Sequence, residues 1–281
     1  MNTVETIPEL RQAIKQLERP LGLVPTMGYL HEGHLSLVRL AREQSASVVT
    51  SIFVNPTQFG PNEDLDAYPR DIPKDLALLE AEGVDLVWMP SPEIMYPEGF
   101  QSWVDVAEVT QVLEGAQRPG HFRGVTTIVA KLFNAVQPDK AFFGQKDAQQ
   151  VAVIEQMVRD LDFPLEIVVG PIQREPDGLA LSSRNVYLDI EQRKAATVLN
   201  RALKAAKASY EAGERSGDVI RQTMTKTIQA EPLAKMQYVS CAHPRSLQEL
   251  KEIVEDGTLL SMAVFVGKTR LIDNLVLGPN H

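Results

Sequence analysis

Cysteine is almost absent from this sequence, because Cys241 is the only one in 281 residues. A single cysteine excludes an intrachain disulfide and leaves a cysteine-based metal site with too few ligands. Long apolar runs are also missing, since nowhere do about 18 apolar residues follow one another. The N-terminal segment lacks the apolar block of a secretion signal. We therefore expect a cytoplasmic protein that neither enters nor crosses a membrane.

Positive charge is the next deficit. Lys and Arg number 28 against 37 Asp and Glu, which gives a formal net charge of -9. No run of basic residues is available to neutralise a phosphate backbone, so nucleic acid is not an expected partner. Apolar residues are plentiful at 44%, and they are enough to fill the cores of one large domain and one small one.

Apolar runs alternate with helical patterns along the first part of the chain. A capping-box pair, Thr6 and Glu9, opens the first helix. Apolar runs without in/out alternation, separated by amphipathic helices, are typical of a parallel sheet covered on both faces. We predict an α/β fold with a doubly wound, Rossmann-like domain over residues 1–171. Its predicted strands are 21–24, 48–54, 84–89, 141–143 and 165–169, and its later helices 33–43, 73–82, 125–136 and 147–161.

The pattern changes after about residue 171. Two long polar helices are predicted near 190–211 and 218–230, followed by short strands near 237–241, 259–266 and 269–275. This indicates a smaller α+β domain over residues 172–281. No low-complexity linker separates the two parts, so we expect them to form one cleft that the smaller domain closes as a lid.

The chemically most distinctive segment is Pro25–His34, which follows the first predicted apolar strand and opens the next helix. Two histidines three residues apart project from one face of a helix start, beside backbone N–H groups that have no intrahelical partner. Gly33 leaves room for a phosphate, and Gly28 permits a turn that most residues resist. We predict that His31 and His34 donate hydrogen bonds to a phosphoryl group. The alternative is that they only cap or pack.

This segment resembles the His-x-Gly-His signature of the nucleotidyltransferases, a superfamily that includes the class I aminoacyl-tRNA synthetases. The resemblance implies attack on the α-phosphorus of a nucleotide with loss of pyrophosphate. A P-loop sequence is absent, and so is a Gly-x-Gly-x-x-Gly fingerprint after a strand. These absences argue against P-loop phosphoryl transfer and against hydride transfer.

Five further segments narrow the resemblance. Together with residues 25–34 they look like the ordered motifs of the pantothenate synthetase family. The resemblance implies ATP-dependent condensation of pantoate with β-alanine through a pantoyl adenylate, Mg2+ with the nucleotide, and a homodimer. Gln145 departs from the family pattern, in which Glu is common, but keeps a polar side chain of similar length. The five segments are 53–59, 68–70, 118–124, 143–150 and 177–185.

Phosphate contacts are expected from two loops. Lys146 follows a predicted strand through Gly144 and lies at the mouth of the sheet. Ser182, Ser183 and Arg184 offer two hydroxyls and a forked guanidinium for the pyrophosphate, although a serine-rich turn that caps the next helix is the alternative. These four residues and the two histidines are the predicted catalytic set. The expected ATP-binding residues are Met27, Gly28, Tyr29, Leu30, His31, Glu32, Gly33, His34, Gly144, Gln145, Lys146, Asp147, Leu181, Ser182, Ser183 and Arg184.

Side-chain amides are the expected ligands of pantoate. Asn55, Gln58 and Gln150 can hold a carboxylate and hydroxyls while leaving the carboxylate nucleophilic, which an arginine would not. Met27 is expected to add an apolar wall. The alternatives are loop hydrogen bonds to backbone for the amides and core packing for the methionine.

One carboxylate and two charged loops also lie in or near these motifs. Asp147 is the carboxylate expected near Mg2+, with the N-cap of the following helix as its alternative role. A basic loop faces either the active site or a subunit contact, and an acidic loop is expected to be solvated above the cleft. The basic loop contains Arg118, His121 and Arg123, and the acidic loop contains Glu63, Asp64 and Asp66.

Two other functions remain open from the residues alone. One is a different nucleotidyltransferase, either for another small molecule or for charging RNA, although the acidity argues against RNA. The other is a nucleotide sensor without catalysis, which needs the histidine site but not the amide-rich pocket.

Overall fold

The computed structural model describes residues 1–61, 63–254 and 256–278. The first part of the chain contains β1 Asn2–Val4, α1 Ile7–Ile14, β2 Leu21–Thr26, α2 Glu32–Gln44, β3 Ser47–Ile52, α3 Ile72–Ala81, β4 Leu86–Trp88, α4 Pro92–Met95, α5 Leu113–Gln117, α6 His121–Val136, β5 Lys140–Gly144, α7 Ala148–Asp160 and β6 Glu166–Gly170. The second part contains α8 Ile190–Ala195, α9 Val198–Glu211, α10 Gly217–Gln229, β7 Ala234–Ala242, β8 Thr258–Val266 and β9 Thr269–Leu277. Short 3-10 turns cover Pro56–Gln58, Gln145–Asp147 and Ser183–Tyr187.

The larger sheet is parallel and doubly wound, as predicted. Its strand order in the described ranges is β1-β4-β3-β2-β5-β6. The chain moves outward from β2 through β3 to β4 and later returns to place β5 on the other side of β2. Neighbouring residues point to opposite faces, because Leu23 packs in the core cluster with α1, α6 and α7 while Val24 packs in the cluster with α2 and α3. Both faces are therefore covered.

Strand β2 diverges from its neighbour β5 at the carboxyl end. Their pairing includes only Gly22 and Leu23 on β2. The predicted end of this strand at Pro25 is wrong, since β2 continues to Thr26 in register with β3. The Leu21 carbonyl accepts the Asp139 N–H, so it points toward β5. Pro25 lies four residues further along β2, so its nitrogen also points toward β5. It lies beyond Leu23, the last residue of β2 that pairs with β5. Its missing N–H costs no ladder bond, and the divergence leaves a gap at the topological switch point.

Several element boundaries differ from the sequence predictions. Helix α6 begins at His121 rather than near residue 125, because Gly120 at φ 83 ends the preceding turn. The predicted helix 190–211 is divided into α8 and α9. At the division Thr197 donates its hydroxyl and its amide to the Lys194 carbonyl, three residues back, which tightens the turn. Edge strand β1 was not predicted.

The second part of the chain forms the predicted small α+β unit. Strands β7, β8 and β9 pair antiparallel. Helices α9 and α10 share a separate apolar cluster with this sheet, including Leu203, Ile220 and Val264. The domain division at residue 171 stays a prediction. Across the described ranges, no helix is both long and apolar enough to cross a membrane.

Candidate active site

A cavity of about 250 Å³ lies at the carboxyl ends of β2, β3 and β5, where the sheet diverges. It brings together groups from segments that lie far apart in the sequence. The predicted residues that line it are Met27, His31, Gly33, His34, Asn55, Gln58, Gly144, Lys146, Asp147, Gln150, Leu181, Ser182, Ser183 and Arg184.

The two histidines cap helix α2 and also face the cavity. His31 Nδ1 accepts the Gly33 N–H at 3.1 Å, and His34 Nδ1 accepts the His31 N–H at 3.3 Å. Because both Nδ1 atoms accept, a neutral ring carries its proton on Nε2. The ring centroids are 4.1 Å apart. Capping and phosphate binding are therefore compatible, since capping uses Nδ1 and leaves Nε2–H as a donor.

The electrostatic environment keeps both rings neutral. Burial and the positive charge of Lys146 lower the pKa of His31 to about 4. Burial, His31 and Lys146 lower the pKa of His34 to about 3. At neutral pH the pair therefore supplies neutral donors, and the fixed positive charge of the cavity comes from lysine and arginine.

The turn before the histidines depends on a residue that sequence reasoning missed. Gly28 and Tyr29 adopt φ 82 and φ 50, in the left-handed region. The buried carboxylate of Asp75 on α3 accepts the Tyr29 and Leu30 N–H groups, both at 2.7 Å. Burial raises the pKa of Asp75, and the two backbone hydrogen bonds offset part of that effect. No local pattern around Asp75 signals this contact, which spans more than 40 residues.

Lys146 and Asp147 lie on the 3-10 turn between β5 and α7. The Lys146 Nζ lies 3.6 Å from Asp147 Oδ1, and both residues line the cavity. Gln145 turns toward the smaller sheet instead, where its Nε2 donates to Asn274 Oδ1 at 3.1 Å.

The Ser182–Arg184 segment faces the histidine turn across the cavity. Ser182 Oγ accepts the Arg184 N–H at 3.2 Å, which is the predicted capping role. Ser183 Oγ donates to the Tyr29 carbonyl at 3.4 Å. The guanidinium of Arg184 makes two hydrogen bonds with Asp64, at 3.0 and 2.8 Å.

The prediction of a solvated acidic loop is wrong for two of its three carboxylates. Asp64 pairs with Arg184, and Glu63 pairs with Arg118 at 2.6 Å. Burial alone would raise the pKa of both carboxyl groups, but the arginine partners lower it below the ordinary value. The sequence showed the acidic cluster but not its partners, which lie 55 and 120 residues away.

The basic loop divides between two places. Arg118 and His121 line the cavity. His121 Nδ1 donates to the Gln58 carbonyl at 2.7 Å, and its Nε2 accepts from Arg118 at 3.0 Å. Burial and Arg118 lower the pKa of His121 to about 4, in agreement with this neutral form. Arg123 lies instead over the Trp103 ring, 4.8 Å from its centroid.

The amide residues form an ordered group beside the histidines. Gln58 Nε2 lies 3.1 Å from Met27 Sδ, and its Oε1 accepts from Asn55 Nδ2 at 3.1 Å. Asn55 is buried, and its Oδ1 also accepts from Thr57 and from the Tyr96 hydroxyl. Gln58 and Gln150 therefore present the amides that a ligand can reach, while Asn55 orients Gln58.

Five predicted ATP-binding residues lie outside the described lining of this cavity. Leu30 is buried, Glu32 pairs with Arg39 at 2.6 Å, and Gln145 turns toward Asn274. Gly28 and Tyr29 line a neighbouring smaller cavity. For these five residues the contact with ATP stays a prediction.

The site fits a nucleotide-bound Mg2+ better than a protein-caged metal. Among the described residues no group of three or more His, Cys, Asp or Glu side chains is placed to hold a metal ion. Asp147 offers one half-exposed carboxylate at the cavity, and its side chain makes no capping hydrogen bond to α7. Mg2+ binds one or two carboxylates together with phosphates and water, so one carboxylate suits it.

Comparison with known proteins gives a consistent result over almost the whole chain. Residues 2–276 match the model of the pantoate-beta-alanine ligase family. Curated pantothenate synthetases from Herpetosiphon aurantiacus and Chloroflexus aggregans are 62% and 61% identical over 277 residues, covering 99% of this chain and 100% of each relative.

Solved structures agree with the sequence matches. A crystal structure of pantothenate synthetase from Thermus thermophilus has a TM-score of 0.95 at 49% identity, covering 99% of this chain and 100% of that one. A pantoate-beta-alanine ligase from Francisella tularensis, complexed with beta-gamma ATP and beta-alanine, has a TM-score of 0.80 at 34% identity and covers 98% of this chain and 97% of that one.

The doubly wound sheet, with a polar cavity at its switch point, has the architecture of an α/β enzyme that binds its ligands at the carboxyl ends of the strands. The chain belongs to the pantoate-beta-alanine ligase family.

Proposed function

We propose that this chain condenses pantoate with β-alanine and converts ATP to AMP and pyrophosphate. One observation carries the proposal: a single cavity joins two neutral imidazoles, a cationic strip and an amide pair. The strip consists of Lys146 and Arg184, and the amides belong to Gln58 and Gln150. The strip suits a triphosphate and the amides suit a hydroxy acid, so the cavity presents binding groups for both partners of an adenylation.

In the first step, a carboxylate oxygen of pantoate attacks the α-phosphorus of ATP, and the bond to the pyrophosphate oxygen breaks. His31 and His34 donate from Nε2 to the transferring phosphoryl group. Lys146, Ser182, Ser183 and Arg184 stabilise the departing pyrophosphate. The products are pantoyl adenylate and pyrophosphate, and alignment with electrostatic stabilisation supplies the catalysis.

The amide pocket helps to keep pantoate nucleophilic. Gln58, oriented by Asn55 and adjacent to Met27, presents a neutral donor beside an apolar surface. A neutral donor orients the carboxylate for about 1 kcal/mol net without pairing its charge. The attacking oxygen therefore stays available.

In the second step, the neutral amine of β-alanine attacks the acyl carbon, the bond to AMP breaks, and the amine loses a proton. No covalent bond to the enzyme is required. Closure of the smaller domain would protect the acyl adenylate from water.

Mg2+ would be held by Asp147 together with the phosphates of ATP. When bound, it neutralises charge on the triphosphate. The chain's own residues perform the alignment of both substrates.

Three further assignments belong to this proposal. The enzyme works in the cytoplasm, it forms a homodimer, and it needs neither nucleic acid nor a membrane. Its single cysteine and acidic composition support the first and last of these. The dimer rests on the family resemblance.

Half-reaction assays test the proposed function. With ATP and pantoate alone, the protein should release one equivalent of pyrophosphate and retain the adenylate. AMP and pantothenate should appear only after β-alanine is added. Pyrophosphate release that needs no pantoate, or AMP release that needs no β-alanine, would defeat the proposal.

A further inference from the structure

A chain of buried polar side chains on β9 contacts both loops that supply cations to the cavity. We infer that Asn274 is a positioning residue, which fixes Lys146 opposite the Ser182–Arg184 segment. This inference rests on the proposed function, because it assigns Lys146 to the pyrophosphate end of ATP. Asn274 itself touches neither the cavity described above nor a reacting atom.

Asn274 uses its whole side-chain amide on the Lys146 loop. The side chain is buried, and Nδ2 donates to the Gln145 carbonyl at 2.9 Å and to the Lys146 carbonyl at 2.8 Å. Its Oδ1 accepts from Gln145 Nε2 at 3.1 Å. Both protons of the Nδ2 group are thus used on consecutive carbonyls, a pattern that fixes the backbone at this turn.

The preceding residue, Asp273, holds Asn274 in place. Its buried carboxylate accepts the Asn274 N–H at 2.8 Å. Arg174 donates to both carboxylate oxygens of Asp273, at 2.7 and 2.8 Å. A bidentate guanidinium is geometrically specific, so it fixes the direction of Asp273.

Arg174 extends the same network to the second cationic loop. It donates to the Gly178 carbonyl at 3.0 Å and forms an isolated β-bridge with Ala180. These contacts lie immediately before Ser182. Two adjacent residues of β9 therefore hold both walls of the proposed pyrophosphate site, so their separation is set by one strand.

Asn274 adds an anchor from outside the Lys146 turn. The turn is a short 3-10 segment between a strand and a helix, and each carbonyl oxygen can accept a second hydrogen bond besides one within the turn. A side chain at position 274 that cannot donate two hydrogen bonds leaves the carbonyl of Gln145 or of Lys146 without this partner. Small displacements of a charged group in an active site have large effects, about 100-fold in rate for 1 Å.

Asn274→Ala tests the inference in a double-mutant cycle with Lys146→Ala. The readouts are the Kd for inorganic pyrophosphate from calorimetry and single-turnover pyrophosphate release. In the wild-type background we expect the Kd to rise and the rate to fall by about tenfold. In the Lys146→Ala background, Asn274→Ala should change neither quantity further, because there is no lysine left to position.

Equal fold losses in both backgrounds, or no loss in the wild-type background, would overturn the inference. Asn274→Ser provides a second variant if Asn274→Ala folds poorly, because it keeps a polar side chain but can donate only one hydrogen bond. It should show a smaller loss with the same dependence on Lys146. Thr258→Val is the matched control. Thr258 begins β8 of the same sheet and accepts a hydrogen bond from the Val254 N–H. The variant removes this bond, so it should lower Tm and leave pyrophosphate binding unchanged.

The calorimetric Kd for pyrophosphate tests the role of Asn274 separately from the proposed enzymatic function. A wild-type protein that binds pyrophosphate but makes no pantothenate would defeat the proposed function alone. The cycle would still report whether Asn274 acts through Lys146.

Discussion

His31 has a structural role in capping α2, and this role is compatible with the chemical role proposed for it. Its Nδ1 caps α2, and this hydrogen bond leaves the Nε2 proton directed to other partners. The sequence alone predicted the pair of histidines, the helix start and the shared face. It could not predict the lowered pKa, because the shift depends on burial and on Lys146, more than 100 residues away.

Arg184 shows the limit of reading charge from sequence. Its proposed role as a phosphate clamp rests on the neighbouring serines and on the resemblance of the motif. The structure adds a candidate competitor for phosphate, since Asp64 accepts two hydrogen bonds from the guanidinium. In the proposed function, a phosphate group must displace Asp64 from Arg184 or share the guanidinium with it.

Replacing Asp64 with Asn should tighten ATP binding. The variant removes the negative charge that competes with phosphate for Arg184, and a partly buried ion pair of this kind contributes on the order of 1 kcal/mol. We expect the Kd for ATP, measured by calorimetry, to fall about threefold to tenfold. Asp66→Asn is the matched control, because Asp66 is exposed in the same loop. An unchanged or larger Kd for Asp64→Asn would show that Asp64 does not compete.

Strand β2 and its following turn position the site at the level of elements. The apolar runs predicted β2 to β6 along the chain and their parallel packing, but not edge strand β1. They did not predict that β2 passes through Pro25, because that depends on how far β5 remains paired. The division between α8 and α9 was also missed, because it contains neither glycine nor proline.

The turn at Gly28 should tolerate no side chain. An added Cβ would lie 3.0 Å from Asp75 Oδ2 and 3.1 Å from Ile52 Cγ2, at a φ of +82. We expect Gly28→Ala to lower the free energy of unfolding by about 2 kcal/mol or more, from left-handed strain and crowding together. Denaturant unfolding measures the change.

Gly99→Ala separates these two causes. Gly99 has nearly the same φ of +79, but nothing lies within 4 Å of its added Cβ. This control should lose only about 1 to 2 kcal/mol. Equal losses in the two variants would mean that the Asp75 contact does not constrain the turn.

Three partly buried histidines make the stability of the whole molecule depend on pH. Their pKa values are lowered from 6.5 to about 4, 3 and 4 in His31, His34 and His121. As pH falls below 6.5, the unfolded chain binds protons that the folded chain does not, so the free energy of unfolding falls. Each histidine contributes up to about 1.4 kcal/mol per pH unit between 6.5 and its folded pKa.

Urea unfolding at pH 7.5, 6.5 and 5.5 checks this expectation. His121→Gln should reduce the slope of stability against pH below 6.5 by about one third, whatever it does to stability at pH 7.5. A slope identical to that of the wild-type protein would show that His121 titrates normally in the folded state.

At the scale of the molecule, fold class and most motif residues were predictable, and their connections were not. Apolar runs that alternate with amphipathic helices predict a doubly wound sheet, because a strand that is apolar on both faces needs helices on both faces to cover it. The contacts that fix the site join distant positions, as with Asn274 and Lys146, which are 128 residues apart. Such pairs have no local signal, because neither periodicity nor turn chemistry specifies which strand of one sheet meets which loop of another.

His34→Ala is the sharpest test of whether the histidine pair acts on phosphoryl transfer. Two single-turnover rates are needed: pyrophosphate release from ATP and pantoate, and pantothenate formation from supplied pantoyl adenylate with β-alanine. We expect the first rate to fall by about 100-fold or more while the second changes little. A variant that releases pyrophosphate at the wild-type rate and is slow only with β-alanine would rule out this role for His34.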